Sequence, residues 1–142
     1  MRVVRTKYPL SKNNNDLISE FIDDLRIGRN VSVTKGGRSE TTLKKNFNRM
    51  RAVCSFSEKQ FQIKDISKIT EEQILTIFER MNKGLIKTIK GTIFNSTESY
   101  QATFKAFWRW LMKARRKQGI IIHDITLDFI SQKKRPEFTQ RY

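Results

Sequence analysis

The chain has 142 residues and carries 29 Lys and Arg against 14 Asp and Glu, a formal charge of +15. This excess favours a polyanionic partner, with nucleic acid first and an anionic membrane surface second. A hydrophobic share of 37% and an aromatic share of 11% exclude wholesale disorder. The length fits one domain with tails.

Cys54 is the only cysteine, which excludes a disulfide framework and a Cys-based zinc site. We expect an inert core thiol and a reducing, cytoplasmic setting. The N-terminus lacks the apolar segment of a signal peptide, and no window approaches the length of a membrane span. His123 has no second ligand near it in sequence, so we expect no metal and no other cofactor.

A first helix is predicted from about Asp16 to Ile27, between an Asn15 cap and a Gly28 stop. Residues 1–13 before it are predicted to form a basic arm. The outward positions of this helix are mostly acidic: Asp16, Glu20, Asp23 and Asp24. We interpret them as a solvated helix face rather than a metal or acid/base site.

A second helix is predicted behind a Ser39 cap, after a loop, and runs to about Phe56. Its buried stripe is predicted from the spacing of four apolar residues: Leu43, Phe47, Met50 and Cys54. Its other faces are basic and are opposed only by Glu40: Arg38, Lys44, Lys45, Arg49 and Arg51.

A third helix is predicted to begin at a Thr70–Gln73 capping box and to end near Asn82, before a Gly84 stop. Residues 83–95 alternate apolar and polar side chains around Gly91. This alternation fits either a short β-hairpin or a loop, and the sequence leaves both open.

A fourth helix is predicted behind Asn95 or Ser96, ending near Gly119. One face is apolar, at the spacing of a helix packed on a core: Phe104, Phe107, Trp108 and Leu111. Another face is basic: Lys105, Arg109, Lys113 and Arg116. Trp110 lies off the apolar stripe and is predicted to cover the core edge or to meet a partner domain. Residues 120–130 are predicted to fold back as an apolar strap with a short helical turn, and residues 131–142 to form a linker.

The predicted fold is therefore an all-α bundle of four main helices. The first and third helices are acidic on their outer faces, and the second and fourth are basic. Such sorting gives a domain one side that suits double-stranded DNA. The residues predicted to contact DNA are Arg38, Thr41, Thr42, Lys44, Lys45, Asn48, Arg49, Gln101, Lys105, Arg109, Lys113 and Arg116. The cations would contact phosphates, and the polar side chains phosphates or base edges.

Four segments in order resemble the N-terminal core-binding domain of tyrosine recombinases of the lambda-integrase type. They are DLISEFIDDLRIGRNVS, SETTLKKNFNRMRAV, DISKITEEQI and STESYQATFKAFWRWLMKA. The resemblance covers roughly residues 16–130 and is greatest to archaeal or mobile-element members. It implies a SAM-like orthogonal bundle that forms half of a clamp around DNA. It also implies a C-terminal catalytic domain in the same polypeptide and other recombinase protomers on the DNA.

The catalytic domain of that family supplies an Arg, a Lys, a His-x-x-Arg box and a nucleophilic Tyr, and nothing here matches them. His123 has no Arg three residues later, and Tyr142 has no upstream His-x-x-Arg. The resemblance thus implies a chain that binds DNA without cleaving it, as part of a recombinase. A stand-alone nucleic-acid-binding regulator and a membrane-surface protein with a basic amphipathic helix are the alternatives.

Overall fold

The computed structural model of the protein describes residues 8–31 and 39–129. Within those residues the chain forms α-helices and turns but no β-strand, which confirms the predicted all-α class. The helices are α1 (Lys12–Ile27), α2 (Glu40–Phe61), α3 (Glu71–Asn82) and α4 (Glu98–Arg116), with a 3-10 turn at Ile66–Lys68.

Helix α1 begins earlier than predicted, because Ser11 rather than Asn15 caps it. The Ser11 side chain accepts a hydrogen bond from the Asn14 backbone N–H. The predicted stop is confirmed: Gly28 has φ 79°, a left-handed conformation that glycine adopts without strain. The predicted arm is correspondingly shorter, since Tyr8 packs its ring edge-on against Phe56 at 5.3 Å. Residues 1–7 lie outside the described residues.

Helix α2 is the central helix of the bundle, packing against each of the other three. It begins behind the predicted Ser39 cap but continues past Phe56 to Phe61. Residues 52–57 are buried on every side of the helix. The helix therefore continues beyond an enclosed segment, and in the extra turn Ser57 is buried while Lys59 and Gln60 are exposed, which a one-sided apolar stripe does not predict.

Helix α3 confirms the capping box, with both the Thr70 and Gln73 side chains bonded to backbone N–H groups. The segment after it is a loop, so the hairpin alternative is wrong. The Thr88 N–H donates to the Thr92 carbonyl at 2.8 Å, and the Gly91 N–H donates to the Thr88 carbonyl at 2.8 Å. These bonds close one tight turn without a strand ladder.

Helix α4 buries all four predicted core residues: Phe104, Phe107, Trp108 and Leu111. The strap after it folds back as predicted as far as residue 129. The Trp108 indole N–H donates to the His123 carbonyl at 2.8 Å, and the Phe129 ring lies 5.4 Å from that of Phe78. Residues 125–128 form a turn. Cys54 is fully buried, and this burial raises the pKa of its thiol far above the ordinary range, as expected for an inert core cysteine.

The helix directions follow from contacts near the helix ends. Asn14 meets Glu58 at one end of the α1–α2 pair, and Arg26 meets Glu40 at the other, so these two helices are antiparallel. Helix α4 is antiparallel to α2 as well, because Thr103 meets Asn46 whereas Phe94, just before α4, meets Phe56 further along α2. The first half of α2 therefore lies beside the first half of α4.

Candidate nucleic-acid interface

Cations of α2 and α4 form the candidate site, here called the basic face. Its members are Lys44, Lys45, Arg49, Lys105, Arg109, Lys113 and Arg116. Five of these side chains are exposed, and Arg49 and Lys105 are half-buried. All seven were predicted from sequence, because each lies off the apolar stripe of its helix.

A hydrogen bond joins the two helices close to their cations. The Thr103 hydroxyl on α4 donates to the Asn46 side-chain carbonyl on α2 at 3.1 Å. Lys45 is adjacent to Asn46, and Arg49 follows Lys45 by about one turn. Burial raises the pKa of Tyr100 on α4, and the positive charge of Arg49 partly opposes that shift. Arg49 therefore lies beside α4, so at least this α2 cation borders the α4 surface.

Exposed polar and small residues lie among these cations. Thr41 and Asn48 are exposed on α2, two turns apart, and flank Lys44 and Lys45 on the helix surface. Thr42 is half-buried, and its hydroxyl accepts from Ser39 Oγ at 3.1 Å. On α4, residues 102 and 106 are exposed alanines. Small side chains at these positions let another backbone approach α4 closely.

The basic face makes no salt bridge within the described residues, although Lys44 adds to the effect of Arg26 in lowering the pKa of Glu40. The ion pairs there are Lys12–Asp16, Arg26–Asp23, Arg26–Glu40 and Lys83–Glu79. None of these includes a member of the basic face. Anions can therefore bind these cations without first breaking an internal ion pair.

The members of the basic face in the C-terminal half of α4 border an open groove of about 440 Å³. Arg109, Lys113 and Arg116 line it from α4, and Leu25 and Val31 line it from the end of α1 and the turn that follows. The sequence did not predict this groove, since it depends on how α1 packs against α4.

One predicted contact does not join the basic face. Gln101 is only 8% exposed, and its side-chain amide donates to the Thr97 hydroxyl at 2.9 Å. It lies on the apolar side of α4, three residues before Phe104, so its predicted DNA contact is withdrawn. Arg38 lies outside the described residues.

Two charged side chains have structural roles that the sequence did not reveal. Asp24 was interpreted as solvated, but its carboxylate accepts from the Trp110 indole N–H at 2.7 Å and from Asn30 at 3.1 Å. Trp110 is buried and joins α4 to α1, close to its predicted place at the core edge. Arg51 donates to the Asn15 side chain at 3.0 Å and to the Tyr8 carbonyl, so it faces the arm instead of solvent.

The acidic side chains are placed mainly as predicted. On α1, Asp16, Glu20 and Asp23 are exposed, and on α3, Glu72 and Glu79 are exposed. In the described part of the chain, no group of three or more His, Cys, Asp or Glu side chains is arranged to hold a metal ion. Among the same residues, no helix has the length and apolar character needed to cross a bilayer.

Comparisons of the chain with models of protein families, with curated proteins and with solved structures found no match. The functional interpretation therefore depends on the geometry and charge of the basic face.

Proposed function

We propose that the chain is a DNA-binding module whose basic face lies on the phosphate backbone of a duplex. The observation that carries the proposal is the set of cations on two joined helices, which make no salt bridge within the described residues. Phosphates that replace solvent around such cations release condensed counterions, which supplies most of the free energy of non-specific binding.

The polar residues on α2 give the module a limited means of reading sequence. Thr41 and Asn48 are exposed between the cations, where a backbone contact would bring them to a groove edge. Two such side chains specify few base pairs. The module by itself is therefore expected to bind duplexes of different sequence with similar affinity.

A finer proposal follows from the resemblance to tyrosine recombinases. In it, this module is the core-binding half of a clamp, and a catalytic domain in the same polypeptide closes on the opposite side of the DNA. The order of the four resembling segments and the all-α bundle support it. The coding sequence downstream of Tyr142 tests it directly: an Arg, a His-x-x-Arg box and a Tyr should follow in that order. A coding sequence without that pattern would contradict the recombinase assignment but not DNA binding.

DNA binding itself is tested by titrating a labelled duplex with the protein at two salt concentrations. We expect the logarithm of the association constant to fall with the logarithm of salt, by roughly 0.9 for each phosphate contacted. Two duplexes of unrelated sequence should give nearly the same constants. Binding that does not depend on salt, or no binding at low salt, would overturn the proposal.

A further inference from the structure

The loop between α3 and α4 exposes aliphatic side chains to solvent. Leu85 is 71% exposed and Ile93 is 60% exposed, and Ile89 between them is partly exposed. Lys87 and Lys90 are exposed in the same loop, and residues 83–97 contain no acidic residue. The loop thus combines apolar and cationic side chains, with no carboxylate of its own.

Hydrogen bonds hold this loop in one conformation. The Thr88 and Thr92 hydroxyl oxygens lie 2.8 Å apart, and the Thr92 N–H donates to the Thr88 hydroxyl at 3.1 Å. The Tyr8 hydroxyl accepts from the Ile89 N–H at 2.9 Å. Ile86 and Phe94 are buried and anchor both sides of the turn. The exposed aliphatic side chains therefore belong to an ordered surface.

Ile93 lies over the backbone of Gly84, next to Leu85 in the chain. A Cβ atom added at Gly84 would lie 3.4 Å from the Ile93 Cδ1 atom, so Ile93 packs over the Gly84 backbone. Leu85 follows Gly84 directly. Gly84 itself has φ 77°, which allows the chain to leave α3 in this direction.

The loop continues the basic face at the N-terminal end of α4. The Phe94 ring lies 5.2 Å from the Tyr100 ring on α4, and Arg49 acts electrostatically on Tyr100. Arg116 lies at the other end of α4, roughly 28 Å away along the helix. Lys87 and Lys90 are exposed in the loop that Phe94 joins to Tyr100, so they add positive charge near the N-terminal end of α4.

We propose that this loop enters a groove of the same duplex that the basic face contacts, an inference that rests on the proposed function. Lys87 and Lys90 would contact phosphates on the two sides of the groove. Leu85 and Ile93 would contact the apolar edges of sugars and bases, as aliphatic side chains do in proteins that insert wedges into DNA. DNA is favoured as the partner because the loop is cationic and continuous with the basic face.

The decisive variants remove aliphatic surface in matched pairs. Leu85→Ser with Ile93→Ser changes the loop, and Ile121→Ser with Leu127→Ser changes the strap, where the two residues are 75% and 74% exposed. We expect the loop variant to lose roughly tenfold in affinity for a duplex, because apolar burial is lost. The strap variant should stay within about twofold of the original protein, since surface substitutions outside an interface have small effects. Thermal unfolding of both variants confirms that they are folded.

The salt dependence separates the two ways in which the loop would bind DNA. The serine variant should keep the original salt slope, because aliphatic side chains release no counterions when they are buried. Lys87→Gln with Lys90→Gln should lower the slope by up to about two units, about one for each phosphate that a lysine no longer neutralises.

Three results would overturn the inference. The first is a loop variant that binds DNA as well as the strap variant does. The second is a loop variant whose only loss is binding to vesicles with anionic headgroups. The third is a loop variant whose only change is dissociation of a dimer in sedimentation. If the unaltered protein binds no DNA at all, the proposed function fails as well. If the unaltered protein binds DNA and the loop variant binds it equally tightly, the inference alone fails.

Discussion

The two halves of α2 make different use of the same helix. The first half, Glu40–Arg49, is amphipathic and exposes cations beside α4. The second half is enclosed, with residues 52–57 buried on every side. Its end meets a polar junction in which Glu58 accepts from the Ser11 N–H and from the Asn14 amide. The comparison indicates that the enclosed half stabilises the fold and that the first half is available to bind. The variants below test this separation, from the largest expected effect to the smallest.

The enclosed half is most sensitive at Asn14, which is fully buried. Its amide donates to Glu58 at 2.7 Å, and its carbonyl oxygen accepts from the Ile66 N–H at 2.7 Å. Asn14→Ala leaves the buried Ile66 N–H without its acceptor and removes one of the donors to Glu58, so we expect a loss of about 2–4 kcal/mol in the free energy of unfolding by urea.

The matched control for that variant is Asn13→Ala. Asn13 is exposed and makes one hydrogen bond, to the Lys64 carbonyl at 3.0 Å. Its loss should stay below about 1 kcal/mol. If both alanine variants are equally stable, the junction does not stabilise the bundle as described.

The contact between α1 and α4 is expected to contribute a smaller amount. Asp24→Ala removes the acceptor of the buried Trp110 indole N–H and should cost about 1–3 kcal/mol in thermal or urea unfolding. Asp23→Ala, at the exposed neighbouring position, should cost less than about 0.5 kcal/mol. An equal cost for the two would mean that Asp24 is solvated, as its sequence context alone indicates.

The smallest effect concerns pH. A hydrogen bond to Asp128 raises the pKa of Glu71, and charge repulsion between the two adds to that shift. A raised carboxyl pKa favours the folded state at low pH, and this contribution is lost as the pH rises and Glu71 ionises. Asp128→Asn should therefore raise the melting temperature near neutral pH, and the gain should vanish in acid. A gain of the same size at both pH values would contradict the pairing.

Local signals predicted from sequence were confirmed where they involve neighbouring residues. The Thr70–Gln73 capping box and the Gly28 stop depend on only a few consecutive positions, and both appear as predicted. The predicted start of α1 was wrong, because several residues able to cap a helix follow one another from Ser11 to Asp16. The choice among them depends on the contact of Ser11 with Glu58, which is remote in sequence.

Polar residues whose hydrogen bonds are made inside the fold were the other source of error. Ser57 looks solvated in sequence but is buried and donates to the Val53 carbonyl at 2.9 Å, which concealed the length of α2. Gln101 and Asp24 were misplaced for the same reason, since a polar side chain satisfied inside the fold looks like a surface residue. The exposed cations of the basic face were predictable because they lie opposite strong apolar stripes.

The central claim is that binding depends on where the cations lie and not on their number. The direct test compares two triple variants, each of which removes three positive charges from exposed side chains. One changes Lys45, Arg109 and Lys113 to Gln within the basic face. The other changes Lys12, Lys64 and Lys68 to Gln around the start of α1 and the connector between α2 and α3.

Duplex affinity measured by fluorescence anisotropy over a range of salt decides between the two interpretations. We expect the basic-face variant to lose more than roughly tenfold at low salt, with a salt slope lower by about one unit for each phosphate that is no longer neutralised. The control variant should lose less than about threefold and keep its slope, because it loses only long-range attraction. Equal losses in affinity and slope for the two variants would contradict a defined DNA-binding face.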